Sequence, residues 1–373
     1  MEFEALRSIT DSEWPQRAAD LTARPILVHL DQWCWDHLAR DRAGRPTHAS
    51  EVGTYGLLRQ LALDGRVAFP LSASSYRENW PRSNDDATWD TAVVMAELSG
   101  FNTLTSTGVA EWDADFAVCA HFGWAMPPKP AVLGWGVQHC FPTLEVEALV
   151  NRSTELVLQA MEAAATSADS GYAESIRNEM RLGMELAMLA RQVPTLPGDL
   201  EPIFLPPILD ALGARFEDDQ RSLRSNLGPK PTKRQIRDAI EVLSLRDSDP
   251  FLGSASLRHG LGAADLLTAV ADAVHAGDRS AVSRVLRSMP VQGAFTELRV
   301  QAHLQEGFGW SGSDCVDFLA LASIAPFVDA IVVDKRTFNL SVSAGIVTAD
   351  QTLGIHRQLS SLCSALRQRV DLP

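Results

Sequence analysis

The chain has 373 residues, 46% of them hydrophobic and 21% charged, which is enough for two domains or for one domain with a large insertion. No apolar run approaches the ~18–20 residues of a membrane span, and the acidic start Met1-Glu2-Phe3-Glu4 does not read as a secretory leader. The formal charge of −14 repels polyphosphates at long range, so charge alone counts against a nucleic-acid enzyme and any such case has to come from a site.

The five cysteines (Cys34, Cys119, Cys140, Cys315, Cys363) are odd in number and never form Cys-x-x-Cys. That argues against both a disulfide framework and a zinc site, and the expectation is a cytoplasmic protein.

Arg24-Pro25-Ile26-Leu27-Val28-His29-Leu30-Asp31 is an apolar run ending in an acid, the pattern of a fully buried parallel strand. Gln32 to Arg40 reads as a helix, and Glu51 to Leu63 as a second one stopped at Asp64-Gly65. Val67-Ala68-Phe69 is a strand candidate ended by Pro70. Ser72 is placed to cap a helix carrying Tyr76 and Glu78, and Asp90 to Ser99 is a further helix closed by Gly100. Trp112 to Phe141, rich in Trp, Pro and Gly, reads as an irregular connector.

From Leu144 to about Gln305 the pattern is helix after helix, with breaks at Pro194–Gly198, Pro206-Pro207, Gly228–Pro231 and Pro250–Gly253. Ser311-Gly312-Ser313 then caps a helix that runs to about Ala325 and is ended by Pro326. Asp329-Ala330-Ile331-Val332-Val333-Asp334 is again an apolar strand finishing in an acid. Gly345-Ile346-Val347 reads as a last strand and Gln351 to Arg369 as a closing helix. The expected architecture is α/β: a domain with a mostly parallel central sheet at 1–140 and 307–373, interrupted by an all-α helical domain at 141–306.

In open parallel sheets functional groups gather beyond the carboxyl ends of strands. If both strands sit centrally in one sheet, Asp31 and Asp334 face one crevice. Asp314 opens a helix, Asp317 follows three residues later, and Glu78 lies on a helix after a strand. Carboxylates of this kind suit Mg²⁺ or Mn²⁺, which polarises a phosphate and activates a water. Each acid also has a plain structural use: Asp31 as a helix cap, Asp334 as the start of a turn with Lys335-Arg336, Asp314 and Asp317 as first-turn acids, Glu78 on a solvated face.

Strand-Asp, strand-helix-Glu, helix-opening Asp and strand-Asp, in that order, resemble the PIN-domain nucleases. The matching residues are Asp31, Glu78, Asp314 and Asp334, with Asp317 able to share the role of Asp314. The resemblance covers roughly residues 24–105 and 308–350, and the long separation of Glu78 from Asp314 departs from compact members. It implies a PIN-like fold and a Mg²⁺- or Mn²⁺-dependent endonuclease acting on RNA in preference to DNA. Ser313, Lys335 and Arg336 would stand near the substrate, and a toxin or defence nuclease restrained by a regulatory protein partner would suit the family. A non-catalytic PIN-fold scaffold and a structure-specific DNA nuclease are the competing readings.

Lys230-Pro231-Thr232-Lys233-Arg234-Gln235-Ile236-Arg237 is the densest basic stretch, either a solvated helix start or a set of phosphate contacts through Lys230, Lys233, Arg234 and Arg237. Trp80 and Trp310 are the tryptophans best placed to stack on a base. The histidines show no metal-ligand spacing, and no Walker-type loop is present.

Overall fold

The computed structural model describes residues 14–79, 85–142, 144, 146–163, 170–190, 207–305 and 307–370. In chain order its elements begin with β1 (Ile26–Leu30), α1 (Gln32–Arg42), α2 (Thr54–Leu63), β2 (Val67–Ala68), β3 (Leu71–Ser72), α3 (Ala73–Asn79), α4 (Asp85–Ser99) and β4 (Asn102–Leu104). There follow α5 (Val109–Phe122), β5 (Leu133–Trp135), α6 (Val137–Cys140), α7 (Val146–Ala163), α8 (Ser170–Leu189), α9 (Pro207–Asn226), α10 (Lys233–Arg258), α11 (Asp265–His275), α12 (Ala281–Ser288) and α13 (Pro290–Leu304). The chain closes with α14 (Gly312–Ile324), β6 (Ala330–Val332), α15 (Lys335–Ala344), β7 (Gly354–His356) and α16 (Leu359–Arg369). Among the described residues, no helix is long and apolar enough to cross a membrane.

The chain divides into two compact units, each assembled from separated segments. The first comprises Met1–Thr105, Leu133–Pro206 and Gln358–Pro373; the second comprises Ser106–Val132 and Pro207–Arg357. The helical stretch is therefore shared out, α7 and α8 to the first unit and α9 to α13 to the second.

In the first unit β1 pairs parallel with β2, and β3 pairs parallel with β4, which pairs antiparallel with β5. Val28 and Leu30 of β1 are essentially fully buried, as are Leu58 and Leu61 on one face of α2. Each such side chain contributes about 1.5–3 kcal/mol by leaving water. In the second unit β6 pairs parallel with β7. Helices α5, α10, α11 and α12 there enclose a core of Val118, Leu252, Leu266, Val270, Val285 and Met289. Helices α9 and α14 approach so closely that a Cβ on Gly213 would stand 2.7 Å from the Gly312 carbonyl oxygen, which requires glycine at that position.

Both strands that end in an acid form as expected, and among the described residues from 146 to 305 every regular element is a helix. Four expectations are corrected. Trp112 to Phe141 is not one irregular connector: α5 starts ahead of it at Val109 and runs to Phe122, bounded by Gly108 and Gly123 at positive φ, and the longest irregular run is Trp124 to Val132. Helix α5 buries Trp112, Asp113, Ala114, Ala117, Val118 and Cys119, so it shows little of the polar face that marks a surface helix.

Pro250 does not break the chain but lies inside α10. An internal proline costs about 3 kcal/mol, and here burial of Ile240, Ser244, Ser248, Leu252 and Ala255 along one face offsets it. Gly345 ends α15 in the left-handed region, and Ile346-Val347 is no strand. The last strand is Gly354–His356, and the closing helix starts only at Leu359. The Pro194–Gly198 break and Pro206 lie outside the described residues.

Candidate functional site

In the first unit Asp31 follows β1 with extended backbone and caps α1, its Oδ1 accepting from the Gln32 N–H at 2.8 Å. The strand holds its backbone and leaves the carboxylate half-buried. Glu78 sits half-buried on α3, next to Asn79, whose Nδ2 donates to the Leu189 carbonyl at 2.6 Å and ties this short helix to the end of α8. His29 on β1 is buried, and burial lowers its pKa to about 4, so it is neutral at ordinary pH.

In the second unit one arginine, Arg336, contacts both Asp314 and Asp334. Asp334 caps α15: its Oδ1 accepts from the Arg336 N–H at 2.6 Å and the Thr337 N–H at 3.2 Å, and its Oδ2 accepts from the Thr337 hydroxyl at 2.6 Å. Asp314 is 4% exposed; its Oδ2 accepts from the Ser311 N–H at 2.6 Å and the Ser311 hydroxyl at 3.0 Å. The Arg336 guanidinium reaches the Asp314 Oδ1 at 2.8 Å, donates to the Gly309 carbonyl and lies 4.2 Å from the centre of the Phe308 ring. One residue thus binds Asp334 through its backbone and Asp314 through its side chain.

Asp317 is exposed while Asp314 is buried, so the two acids of α14 differ in setting. Ser313 is exposed, its hydroxyl 3.0 Å from that of Ser311, and Lys335 is exposed. Lys230, Lys233 and Arg234 of the basic stretch are exposed at the start of α10, where Thr232 forms a capping box with Gln235.

Arg237 is a correction: it is half-buried and clamped by Glu297 and Glu241, so it belongs to the packing of α10 rather than to a free basic surface. Trp310 is built into an aromatic cluster with His303, Phe308 and Phe216 at centroid distances of 4.5, 4.6 and 5.6 Å. Trp80 lies outside the described residues.

The reading of the histidines is also corrected. His37, His48 and Glu51, all in the first unit, place one ligand atom each within 4.8 Å of one another. Asp314, Asp317 and Asp334 do not converge as a group of three to that degree, in keeping with the caps that hold Asp314 and Asp334. In sequence the only trace of the histidine cluster is His48-x-x-Glu51, with His37 a loop away.

A buried carboxyl elsewhere in the first unit sets a pH dependence. Glu185 on α8 is 1% exposed and its Oε2 accepts from the Val137 N–H at 2.8 Å. Burial pushes its pKa from the ordinary 4.5 up to about 7, against the lowering effects of that N–H and of Arg181. A carboxyl with a raised pKa binds its proton more tightly folded than unfolded. Its contribution is therefore fully present below about pH 4.5 and is lost as pH rises through about 7. Thermal unfolding at about pH 5 and about pH 8 is expected to show a larger fall in midpoint for the native chain than for Glu185→Gln. An equal fall in both would remove Glu185 as the source.

Compared with protein-family models, curated proteins and solved structures, the chain matches none of them.

Proposed function

We propose that the chain is a metal-dependent endonuclease of PIN-like type, with RNA as its substrate and Asp31, Glu78, Asp314 and Asp334 as its acids. The observation that carries this reading is the link of Asp334, two residues past parallel strand β6, with the buried Asp314 through Arg336. Asp31 likewise follows a parallel strand, β1 of the other unit, and caps the next helix.

The donor set of the proposed site is oxygen only, which fits Mg²⁺ or Mn²⁺. A carboxylate has about four lone-pair sites, so the helix caps still leave Asp314 and Asp334 acceptor capacity for a cation. Asp314 is already in contact with one positive group, Arg336. A bound Mg²⁺ or Mn²⁺ would supply an activated water and a polarised phosphate.

The chain's own residues do the rest. Thr337 holds the Asp334 carboxylate in a fixed orientation. The Arg336 side chain is 48% exposed, so it can exchange Asp314 for a phosphate oxygen as substrate arrives. Lys233 and Arg234 offer backbone contacts for longer substrates. Replacing Lys233 and Arg234 by Glu is expected to weaken binding of long RNA and spare short oligonucleotides. The salt slope should fall by about 1 for each phosphate no longer neutralised. Equal weakening for both lengths would take the cluster out of binding.

A second reading, a non-catalytic scaffold on the same fold, is favoured by one observation: Asp314 and Asp334 are both satisfied without a metal, by their own caps and by Arg336. A DNA substrate and a restraining protein partner also remain proposals of the same kind. The deciding experiment incubates labelled RNA and labelled single-stranded DNA with the chain, with Mn²⁺ or Mg²⁺ and with chelator. Metal-dependent cutting supports the nuclease and shows which nucleic acid it prefers. No cutting, together with no metal-induced rise in melting temperature, supports the scaffold.

A further inference from the structure

We infer that His37, His48 and Glu51 form a binding site for a Zn²⁺-class transition-metal ion, separate from the acids of the proposed nuclease. His37 lies on α1, His48 precedes the short 3-10 turn Ala49–Glu51, and Glu51 ends that turn. One ligand atom from each lies within 4.8 Å of the others, two imidazole nitrogens and one carboxylate oxygen.

Two further observations point to a cation. Glu51 is 6% exposed, and among the described residues no lysine or arginine pairs with it; its partner is His37 Nδ1, at 2.9 Å and 3.1 Å from its two oxygens. A buried carboxylate facing only a histidine is poorly neutralised, and a divalent ion would correct this. His48 stands at the N-cap position yet makes no capping hydrogen bond. Its ring lies tilted by 53° against that of His37 at a centroid distance of 5.8 Å, and among the described residues no hydrogen bond engages its nitrogens. Trp33 packs edge-on against His37 at a centroid distance of 5.0 Å.

The donor types select the metal. Nitrogen with one carboxylate suits Zn²⁺, Co²⁺ or Ni²⁺ and is poor for Mg²⁺. Ligands around a tetrahedral zinc with bonds of about 2.0–2.1 Å stand roughly 3.4 Å apart. The exposed His48 therefore has to swing inward, a movement its exposure allows. Three protein ligands would leave a fourth position for a water. The ion would clip α1 to the Ala49–Glu51 turn across the loop between them.

The test uses the full chain, free of any polyhistidine tag and stripped with chelator. Zn²⁺ is titrated in competition with a chromophoric indicator, and Co²⁺ binding is followed by its visible ligand-field absorption. The expected result is one equivalent bound, a Zn²⁺-induced rise in melting temperature, and an affinity at least about tenfold lower in both His48→Ala and Glu51→Gln. His48 is exposed, so His48→Ala tests the site even if the buried Glu51→Gln variant folds poorly. Asp334→Asn is expected to leave the Zn²⁺ titration unchanged, so failure of this inference and failure of the nuclease reading are distinguishable. Absence of Zn²⁺ binding against the indicator, or binding of equal affinity in native chain and His48→Ala, would overturn the inference and leave His37 and Glu51 as an ordinary hydrogen-bonded pair.

Discussion

Replacing Asp334 by Asn is expected to reduce RNA cleavage by more than the roughly 10–100-fold that outer partners of a metal site cost, while the fold persists. The substitution removes a charge and keeps the shape. Asn is as good an N-cap as Asp, so acceptance of the Arg336 and Thr337 N–H groups at the start of α15 survives. What is lost is the anionic ligand, and with it cation affinity. A Mn²⁺ titration followed by melting temperature separates the two: the native chain should gain stability with metal, and the variant should gain less. A variant that cleaves at the native rate would remove Asp334 from the site. A variant that melts far earlier without metal would show that Asp334 acts chiefly as a cap.

The largest stability effect is expected at Arg299. This side chain on α13 is 2% exposed, with its guanidinium carbon 5.5 Å from the ring centres of both Phe216 and Phe295. It donates to the Ser244 hydroxyl at 3.3 Å and reaches Asp247 only at 3.6 Å, and among the described residues its Nε has no hydrogen-bond partner. Desolvation lowers its pKa, so the charge is held at a cost that the distant Asp247 offsets only in part.

Arg299→Ala leaves a void beside the Phe216–Phe295 ring pair and should cost about 2–5 kcal/mol in urea unfolding. Arg299→Met fills most of that space without a buried charge and should be neutral or stabilising, as replacements of buried ion pairs by apolar groups often are. Equal losses in both variants would mean that the charge, rather than the filled volume, holds α13 in place.

How much of this was legible in the sequence depends on which residues carried the signal. The strands ending in Asp31 and Asp334 were readable because continuous apolar runs in an α/β pattern have few other uses. Strands β4, β5 and β7 were not, since Asn102-Thr103-Leu104, Leu133-Gly134-Trp135 and Gly354-Ile355-His356 are too short to show a period and carry residues that read as loop. Helix α5 was hidden by its own burial, and α10 by Pro250. The partition of the helices between two units left no mark on the pattern, because a core-facing helix reads alike whichever core it joins.

At the site, position after a strand picked out Asp31 and Asp334, but the same position makes each a helix cap, as the structure shows. Arg336 could not be foreseen as the link between Asp314 and Asp334, since only the fold brings the start of α14 to the start of α15. His37 and Glu51 meet across a loop, beyond the reach of any spacing rule.

The proposed nuclease reading requires that Asp31 and Asp334, each following a parallel strand of its own unit, both serve metal-dependent cleavage. It is tested most directly by initial cleavage rates on labelled RNA in Mn²⁺ for the native chain, Asp31→Asn, Asp334→Asn and the double variant. Residues acting as one unit are grossly non-additive. The expected result is cutting by the native chain that chelator abolishes, a loss of at least about 100-fold in each single variant, and a double variant no slower than the worse single one. Native-rate cutting by either single variant, or no metal-dependent cutting by the native chain, would contradict it.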